Sequence, residues 1–433
     1  MSDALYATSL TSAAKEIAIG ALTARALAEA QLERVAATDA DVEAWAHLDP
    51  AYVRRMAERC DGAREASPLR GIGIGVKDII CTADLPTQMG SAIFAGHRPA
   101  ENAECVKRLQ HAGGYVFGKT VTTAFAFLDP GKTRNPWNPA HTPGGSSSGS
   151  AAAVAIGQVA GALGTQTNGS VIRPASYCGV VGFKPTKDAI PFTGVHLFSE
   201  TLDQLGVFTR TVADSARLAS ALCDRNFVSP SVAALPAPPR LAYLGDYPWV
   251  QMDCDADDTL EAAATRLRQF GATVIGVEFP RGWRDANRDH RTIMLYEGAQ
   301  NLGPLHDRER ARLSPKLSTA IDEGRAITSA QYERAMARRT EAIGEFTDWL
   351  DDFDAVLSPS APTPAPKGLD STGDPSCCTV WSLTGFPALT LPVGLSADGL
   401  PVGMQIACPT GADDRLLTVA AWCESKLTFR GLI

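Results

Sequence analysis

The sequence has no excess of positive charge. Its 40 lysines and arginines stand against 48 aspartates and glutamates, a formal net charge of −8. That balance argues against nucleic acid or an anionic membrane as the main partner. The locally basic stretches 308–312 and 334–339 lie in charge-mixed, helix-like segments and read as solvated faces. There is no Cys-x-x-Cys pair. The ten cysteines are scattered, only Cys377 and Cys378 are adjacent, and the spacing suits neither a zinc site nor a redox pair. Reduced thiols, a cytoplasmic location and no metal are expected, with Cys178 a small buried hydrophobe. The start, Met1-Ser2-Asp3-Ala4, shows no basic region leading into an apolar core. The longest weakly polar run, 151–164, is too short and too glycine-rich to span a bilayer. No internal repeat or low-complexity tract is present. Neither the glycine- and serine-rich run 144–150 nor the run 164–170 continues into the G-K-[ST] of a phosphate loop, and 71–77 reads G-x-G-x-G rather than G-x-G-x-x-G. No organic cofactor is expected.

What the sequence does have is a concentration of glycine and serine between His141 and Pro174. One turn is Gly144-Gly145-Ser146-Ser147-Ser148-Gly149-Ser150; a second is Gly164-Thr165-Gln166-Thr167-Asn168-Gly169-Ser170. Between them, 151–162 is rich in alanine and glycine and predicts a helix packed close to another backbone. A flexible linker would carry few apolar residues, whereas these turns bracket an apolar run and lead into the buried-looking 177–183. Gly145–Gly149 matches the G-x-S-x-G nucleophile elbow with Ser147 at its centre, but that elbow should follow a strand, and Pro136 and Pro139 precede it. It stays open as an alternative. Lys77 ends the apolar, strand-like run 71–76. A lysine there must be paired, neutral, or snorkelling to the surface. Neutral and desolvated, it is a competent general base, and the two serine turns supply candidate nucleophiles.

Taken together, three stretches resemble the amidase signature family of serine hydrolases. They are Gly75-Val76-Lys77-Asp78, the run 143–150 and the run 164–174, with Ser146 and Ser170 at the family's spacing. Gly182–Thr186, Phe386-Pro387-Ala388 and Leu391–Gly394 extend the likeness over essentially the whole chain. The resemblance implies a Ser–Ser–Lys triad: Ser170 as nucleophile, Ser146 after a cis peptide bond as the bridge, Lys77 as base. It implies an oxyanion hole from the N–H groups of Thr167, Asn168, Gly169 and Ser170, and a hydrogen bond from Ser147 to the lysine. Two positions depart from the common pattern. Gln166 stands where the family often has Asp, and Asn168 where it often has Gly. The Gly-Thr-Gln-Thr variant is similar to malonamidase-type members. In those an arginine precedes the Asp-Pro pair; here Leu128 precedes Asp129-Pro130.

The expected reaction is hydrolysis of an amide C–N bond through an acyl-serine. Apolar residues in two candidate pocket walls, Phe127 and Leu128 in one and Trp381 in the other, point to a small neutral or aryl-bearing amide. Arg173 is expected to meet a structural acid, with a substrate carboxylate as the alternative. A carbamate or urea-type substrate, as in carboxybiuret hydrolysis, and a role as amidase subunit of a larger amidotransferase-type complex stay open. So do a homodimer and a non-catalytic binding protein, against which the intact Lys77, Ser146 and Ser170 argue. His196, between Val195 and Leu197, reads as packing or pocket lining.

Helix and strand signals alternate and argue an α/β fold. The chain is expected to be one large domain with a mixed, twisted central sheet covered by helices on both faces. Residues 1–68 would be a helical N-terminal cover and 69–433 the catalytic core. Helices are predicted near 9–39 with Thr23 as cap, 50–66, 103–111, 212–223, 258–269, 288–302, 328–350 and 413–426. Strands are predicted near 71–80, 115–118, 241–244, 272–277 and 356–358, with a hairpin of 390–393 and 403–408 around Ala397-Asp398-Gly399. The Pro/Ala-rich 229–239 reads as a boundary or crossover loop.

Overall fold

The computed structural model describes residues 5–62, 67–224, 227, 235 and 237–433. The chain begins with α1 (Leu10–Ala18), α2 (Ala24–Val42), β1 (Trp45–His47) and α3 (Pro50–Asp61). The Ser9, Thr23 and Asp49 side chains cap the three helices by accepting backbone N–H bonds in the first turn. The predicted cover is therefore not wholly helical, because β1 joins the sheet edge. The helix expected over 50–66 is described to Asp61; residues 63–66 lie outside the described residues.

The core follows as β2 (Gly73–Lys77), α4 (Glu104–His111), β3 (Tyr115–Thr120), α5 (Ser148–Ala155), β4 (Gly161–Gln166), α6 (Ile172–Cys178), β5 (Val181–Lys184), β6 (Gln204–Thr209) and α7 (Val212–Ser220). Next come β7 (Arg240–Tyr243), α8 (Cys254–Gln269), β8 (Thr273–Gly276), α9 (Ala286–Glu309), α10 (Pro315–Ala326) and α11 (Ser329–Trp349). The chain ends with β9 (Ala355–Pro359), α12 (Thr379–Thr384), β10 (Ala388–Leu395), β11 (Pro401–Ala407) and α13 (Asp413–Lys426). Among the described residues the strands form one 11-stranded sheet in the order β1-β3-β2-β4-β6-β5-β10-β11-β9-β7-β8. Pairs β2/β3, β2/β4, β7/β8 and β7/β9 are parallel and the others antiparallel, so the sheet is mixed. Helices flank it.

Several expectations change. The helix predicted over 151–162 runs only from Ser148 to Ala155; Gly157, at φ +75°, breaks it, and the chain re-enters the sheet as β4. Small residues serve that strand as well as the helix, since both pack against close neighbours. Gly149 shows how close: a Cβ there would lie 2.2 Å from the Ala44 carbonyl oxygen and 2.4 Å from the Val121 nitrogen. Strand β6 and helix α10 were not anticipated. Most of 229–239 lies outside the described residues.

β2 sits between β3 and β4, and all five of its residues are buried. Lys77 thus ends a fully enclosed strand. β4 runs parallel beside it and delivers the second glycine-serine turn to the same end.

Candidate active site

Lys77 is 0% exposed. Its Nζ lies 2.6 Å from Ser146 Oγ, 2.7 Å from Thr165 Oγ1 and 3.5 Å from the Thr165 carbonyl. Burial holds its pKa well below a lysine's usual range, with Asp203 acting in the opposite direction. The Gly145–Ser146 peptide bond is cis. Ser147 was expected on the lysine. Instead its Oγ donates to the Thr165 carbonyl (3.2 Å) and accepts from the Thr165 N–H (3.3 Å). The lysine's second hydroxyl partner is Thr165, which the motif reading overlooked. Gly164 permits this approach, since a Cβ there would stand 2.7 Å from Ser147 Oγ.

Past β4 the chain turns through 167–170 into α6. Gln166 closes this turn with its own side chain. Its Oε1 accepts from the N–H groups of Val171 (2.8 Å) and Ile172 (3.0 Å), and its amide donates to Ser382 Oγ (3.0 Å). The neutral amide thus satisfies the start of a helix whose first N–H groups have no partner within it. The N–H groups of Thr167, Asn168, Gly169 and Ser170 donate to no other protein group among the described residues. Two distant side chains hold Thr167. Its hydroxyl donates to Asp203 Oδ1 at 2.6 Å, and its carbonyl accepts from His290 Nε2 at 2.9 Å. Burial raises Asp203 to about 6 and lowers His290 to about 4, so His290 is neutral at pH 7 and its Nε2 carries the proton. Neither residue carried a local motif signal: Asp203 stands before an unpredicted strand, and His290 sits on a helix far away in sequence.

The turn lines a cleft of about 270 Å³. Thr167, Asn168, Gly169, Ser170 and Arg173 form its base, and Phe127, Leu128 and Phe198 one wall. Phe127 stacks on Phe198 with centroids 5.1 Å apart, while Leu128 is 48% exposed at the surface. Asn287, His290, Arg291 and Met294 also line the cleft, with Met294 packed against the cluster that holds Phe127 and Phe198. The spacing of these four places them on one face of α9. Ser146 and Lys77 do not line the cleft; both are buried.

Trp381 does not reach the cleft, which corrects the expected second wall. It is 0% exposed and packs against Trp283 and Phe346, at 6.4 and 5.4 Å. The reason is helical phase. Thr379 and Ser382, three apart on α12, face the turn and bond Asn168, so Trp381 points the other way. From this segment Thr372 and Pro375 line the cleft instead.

Arg173 also departs from expectation. It is 4% exposed and forms no ion pair among the described residues. One nitrogen donates to the Gly145 carbonyl (2.8 Å) and to Thr372 Oγ1 (3.0 Å); Nε and the other terminal nitrogen have no partner. No structural acid holds it. His196 is half-buried beside Phe125 at 5.7 Å, and desolvation, then Lys77, lowers it to about 4, consistent with packing. Among the described residues no group of three or more His, Cys, Asp or Glu side chains is placed to hold a metal ion, and no helix is long and apolar enough to cross a membrane.

Comparison with known proteins shows the family. The Amidase family model matches residues 26–417. A subunit of the glutamyl-tRNA(Gln) amidotransferase of Chloroflexus aggregans is 35% identical, with 93% of each chain covered. A crystal structure of an amidase superposes with a TM-score of 0.85 at 29% identity, covering 97% of this chain and 100% of that one. The peptide amidase PAM, solved with chymostatin, gives a TM-score of 0.82 at 29% identity over 98% and 99%. The chain belongs to the Amidase family and is an amide-hydrolysing enzyme.

Proposed function

We propose that Ser170 is the nucleophile, Ser146 the proton bridge and Lys77 the general base of this hydrolysis. The observation that carries the reading is the buried Lys77 held between two hydroxyls. A neutral amine has two N–H groups and one lone pair. Thr165 Oγ1 and the Thr165 carbonyl take the N–H groups, which leaves the lone pair for the Ser146 hydroxyl. Lys77 takes the Ser146 proton as Ser146 takes that of Ser170. Ser170 Oγ then bonds to the amide carbon, and the carbonyl becomes an oxyanion facing the free N–H groups of 167–170. When the C–N bond breaks, the proton returns through Ser146 to the leaving amine. Water attacks the acyl-serine by the same relay and releases the acid.

For the substrate, Arg173 favours one of the alternatives. A buried guanidinium with open N–H groups at the base of a cleft lined by no carboxylate is built for an anion. We therefore infer a small amide carrying a carboxylate or similar anionic group near the scissile bond, its carbon skeleton lying against Phe127, Phe198 and Met294. This replaces the neutral amide expected from apolar residues alone, which counted Trp381 in the wall. The test is amine release from a panel of malonamate, succinamate, butyramide, acetanilide and phenyl carbamate, with Ser170→Ala as blank. A preference of at least tenfold in kcat/KM for the anionic amides supports the reading; equal or better turnover of butyramide or acetanilide refutes it. A second reading follows from the relatives that belong to amidotransferases: the chain works within a larger assembly. It is favoured if the isolated chain hydrolyses nothing on the panel although Ser170 reacts with a sulfonyl fluoride.

A further inference from the structure

Between the end of β4 and the start of α6, residues 167–170 belong to no ladder and no helix, so their peptide planes must be held by something else. Each plane is held by its carbonyl. Thr167 C=O accepts from His290 Nε2 at 2.9 Å. Asn168 C=O accepts from the Ser382 hydroxyl. Gly169 C=O accepts from the Arg173 N–H at 2.9 Å. In a planar trans peptide the C=O of one residue and the N–H of the next point in opposite directions. Tying the Thr167 carbonyl therefore aims the Asn168 N–H, and tying the Asn168 carbonyl aims the Gly169 N–H. Both N–H groups are free of protein acceptors and border the cleft. The Arg173 bond is internal to the start of α6. The other two donors come from outside, from α9 and α12, and His290 and Ser382 are 1% and 0% exposed.

We propose that His290 and Ser382 are positioning residues for amide hydrolysis: acting through the carbonyls of Thr167 and Asn168, they aim the next N–H groups at the oxygen of the bound substrate. The proposal rests on the reading of Ser170 and its turn given above. Asp203, which grips the Thr167 side chain and is itself held by the N–H groups of Phe198 (2.6 Å) and Ser199 (3.1 Å), fixes the same residue from the other side. The arrangement makes the hole depend on the packing of α9 and α12 against the turn, elements that contribute no atom to the relay.

The charge on the carbonyl oxygen develops only in the transition state, so a misaimed donor lowers kcat and leaves KM in place. Losing one such donor outright costs about 10²–10³ in rate, and a loosened one costs less. His290→Leu and Ser382→Ala are expected to lower kcat roughly 10- to 100-fold with KM changed less than about threefold. His290→Gln, whose amide restores an N–H donor, is expected to recover at least half of that loss on a logarithmic scale. Rates on the fastest-hydrolysed amide of the panel are normalised to the folded fraction from circular dichroism at the assay temperature. Unchanged kcat in both Ser382→Ala and His290→Leu overturns the proposal. So does a rise in KM at constant kcat, which makes His290 a substrate contact, and so does an equal loss in His290→Gln and His290→Leu. Should His290→Leu fail to fold, Ser382→Ala alone decides. Ser170→Ala run beside them separates the two levels: full turnover in that variant sinks the Ser170 reading itself, whereas a dead Ser170→Ala with normal Ser382→Ala and His290→Leu sinks only the positioning role.

Discussion

Thr165 Oγ1 lies 2.7 Å from Lys77 Nζ, and the side chain of Ser147, the residue expected there, hydrogen-bonds the Thr165 backbone and not the lysine. Thr165 therefore orients the lysine directly and Ser147 indirectly. Thr165→Val, which keeps the shape and removes the hydroxyl, should lower kcat by about tenfold or more, in line with the loss of a group that aligns the proposed general base. Ser147→Ala should cost only a few-fold. Steady-state kinetics of the two variants check this; the reverse ranking would restore Ser147 as the lysine's partner.

Lys77→Met should abolish turnover without lowering stability. The native chain must bury an amine whose charged form is penalised by desolvation, and the unfolded chain need not. A methionine of similar length removes that penalty, so the melting temperature at pH 7 should stay level or rise. A drop of more than about 2 °C, the scale of a lost ~2 kcal/mol in a domain of this size, would mean that the lysine stabilises the fold.

Asp203→Asn should change how stability responds to pH. Burial raises the Asp203 carboxyl to about 6, against about 3.9 in an unfolded chain. Between those values the folded state holds a proton that the unfolded state has released. The contribution of this group is complete below about pH 4 and is lost as pH rises through about 6. Relative to the native protein, the variant should gain roughly 2–3 kcal/mol between pH 4 and pH 7, two pK units at about 1.4 kcal/mol each. Urea midpoints at pH 4, 5, 6 and 7 measure the difference; a constant offset would show that Asp203 titrates normally.

Arg173→Gln should separate substrates. Anionic amides on the panel should lose about 10²-fold in kcat/KM, the scale of a charged hydrogen bond of some 2–3 kcal/mol, while butyramide changes far less. Because Arg173 also holds the Gly145 carbonyl, a modest loss common to all substrates is expected. An equal loss across the panel would reduce Arg173 to support for the cis Gly145–Ser146 segment.

Trp381→Ala should destabilise the protein by about 3–5 kcal/mol, the usual cost of removing a fully buried aromatic ring. KM for every substrate should hold in the folded fraction, because the ring packs on Trp283 and Phe346 and not in the cleft. A selective rise in KM would return it to the pocket wall.

Local chemistry was enough to locate the two glycine-serine turns, the lysine ending a buried strand, most capped helices and the α/β class. Each of those features is written in consecutive residues: glycines that admit a close backbone, a threonine or aspartate one position before a helix, an apolar run of strand length. Thr165 was legible only in hindsight, inside a motif whose serines drew the reading. The remainder needed the tertiary structure, because it depends on which face a side chain takes and on partners distant in sequence. Helical phase turned Trp381 inward and brought Thr379 and Ser382 to the turn. The packing of α9 carried His290 and Arg291 to the cleft from more than a hundred residues away. Arg173 was visible from the start, but only the folded chain, in which it meets no ion-pair partner among the described residues, left that guanidinium with open N–H groups.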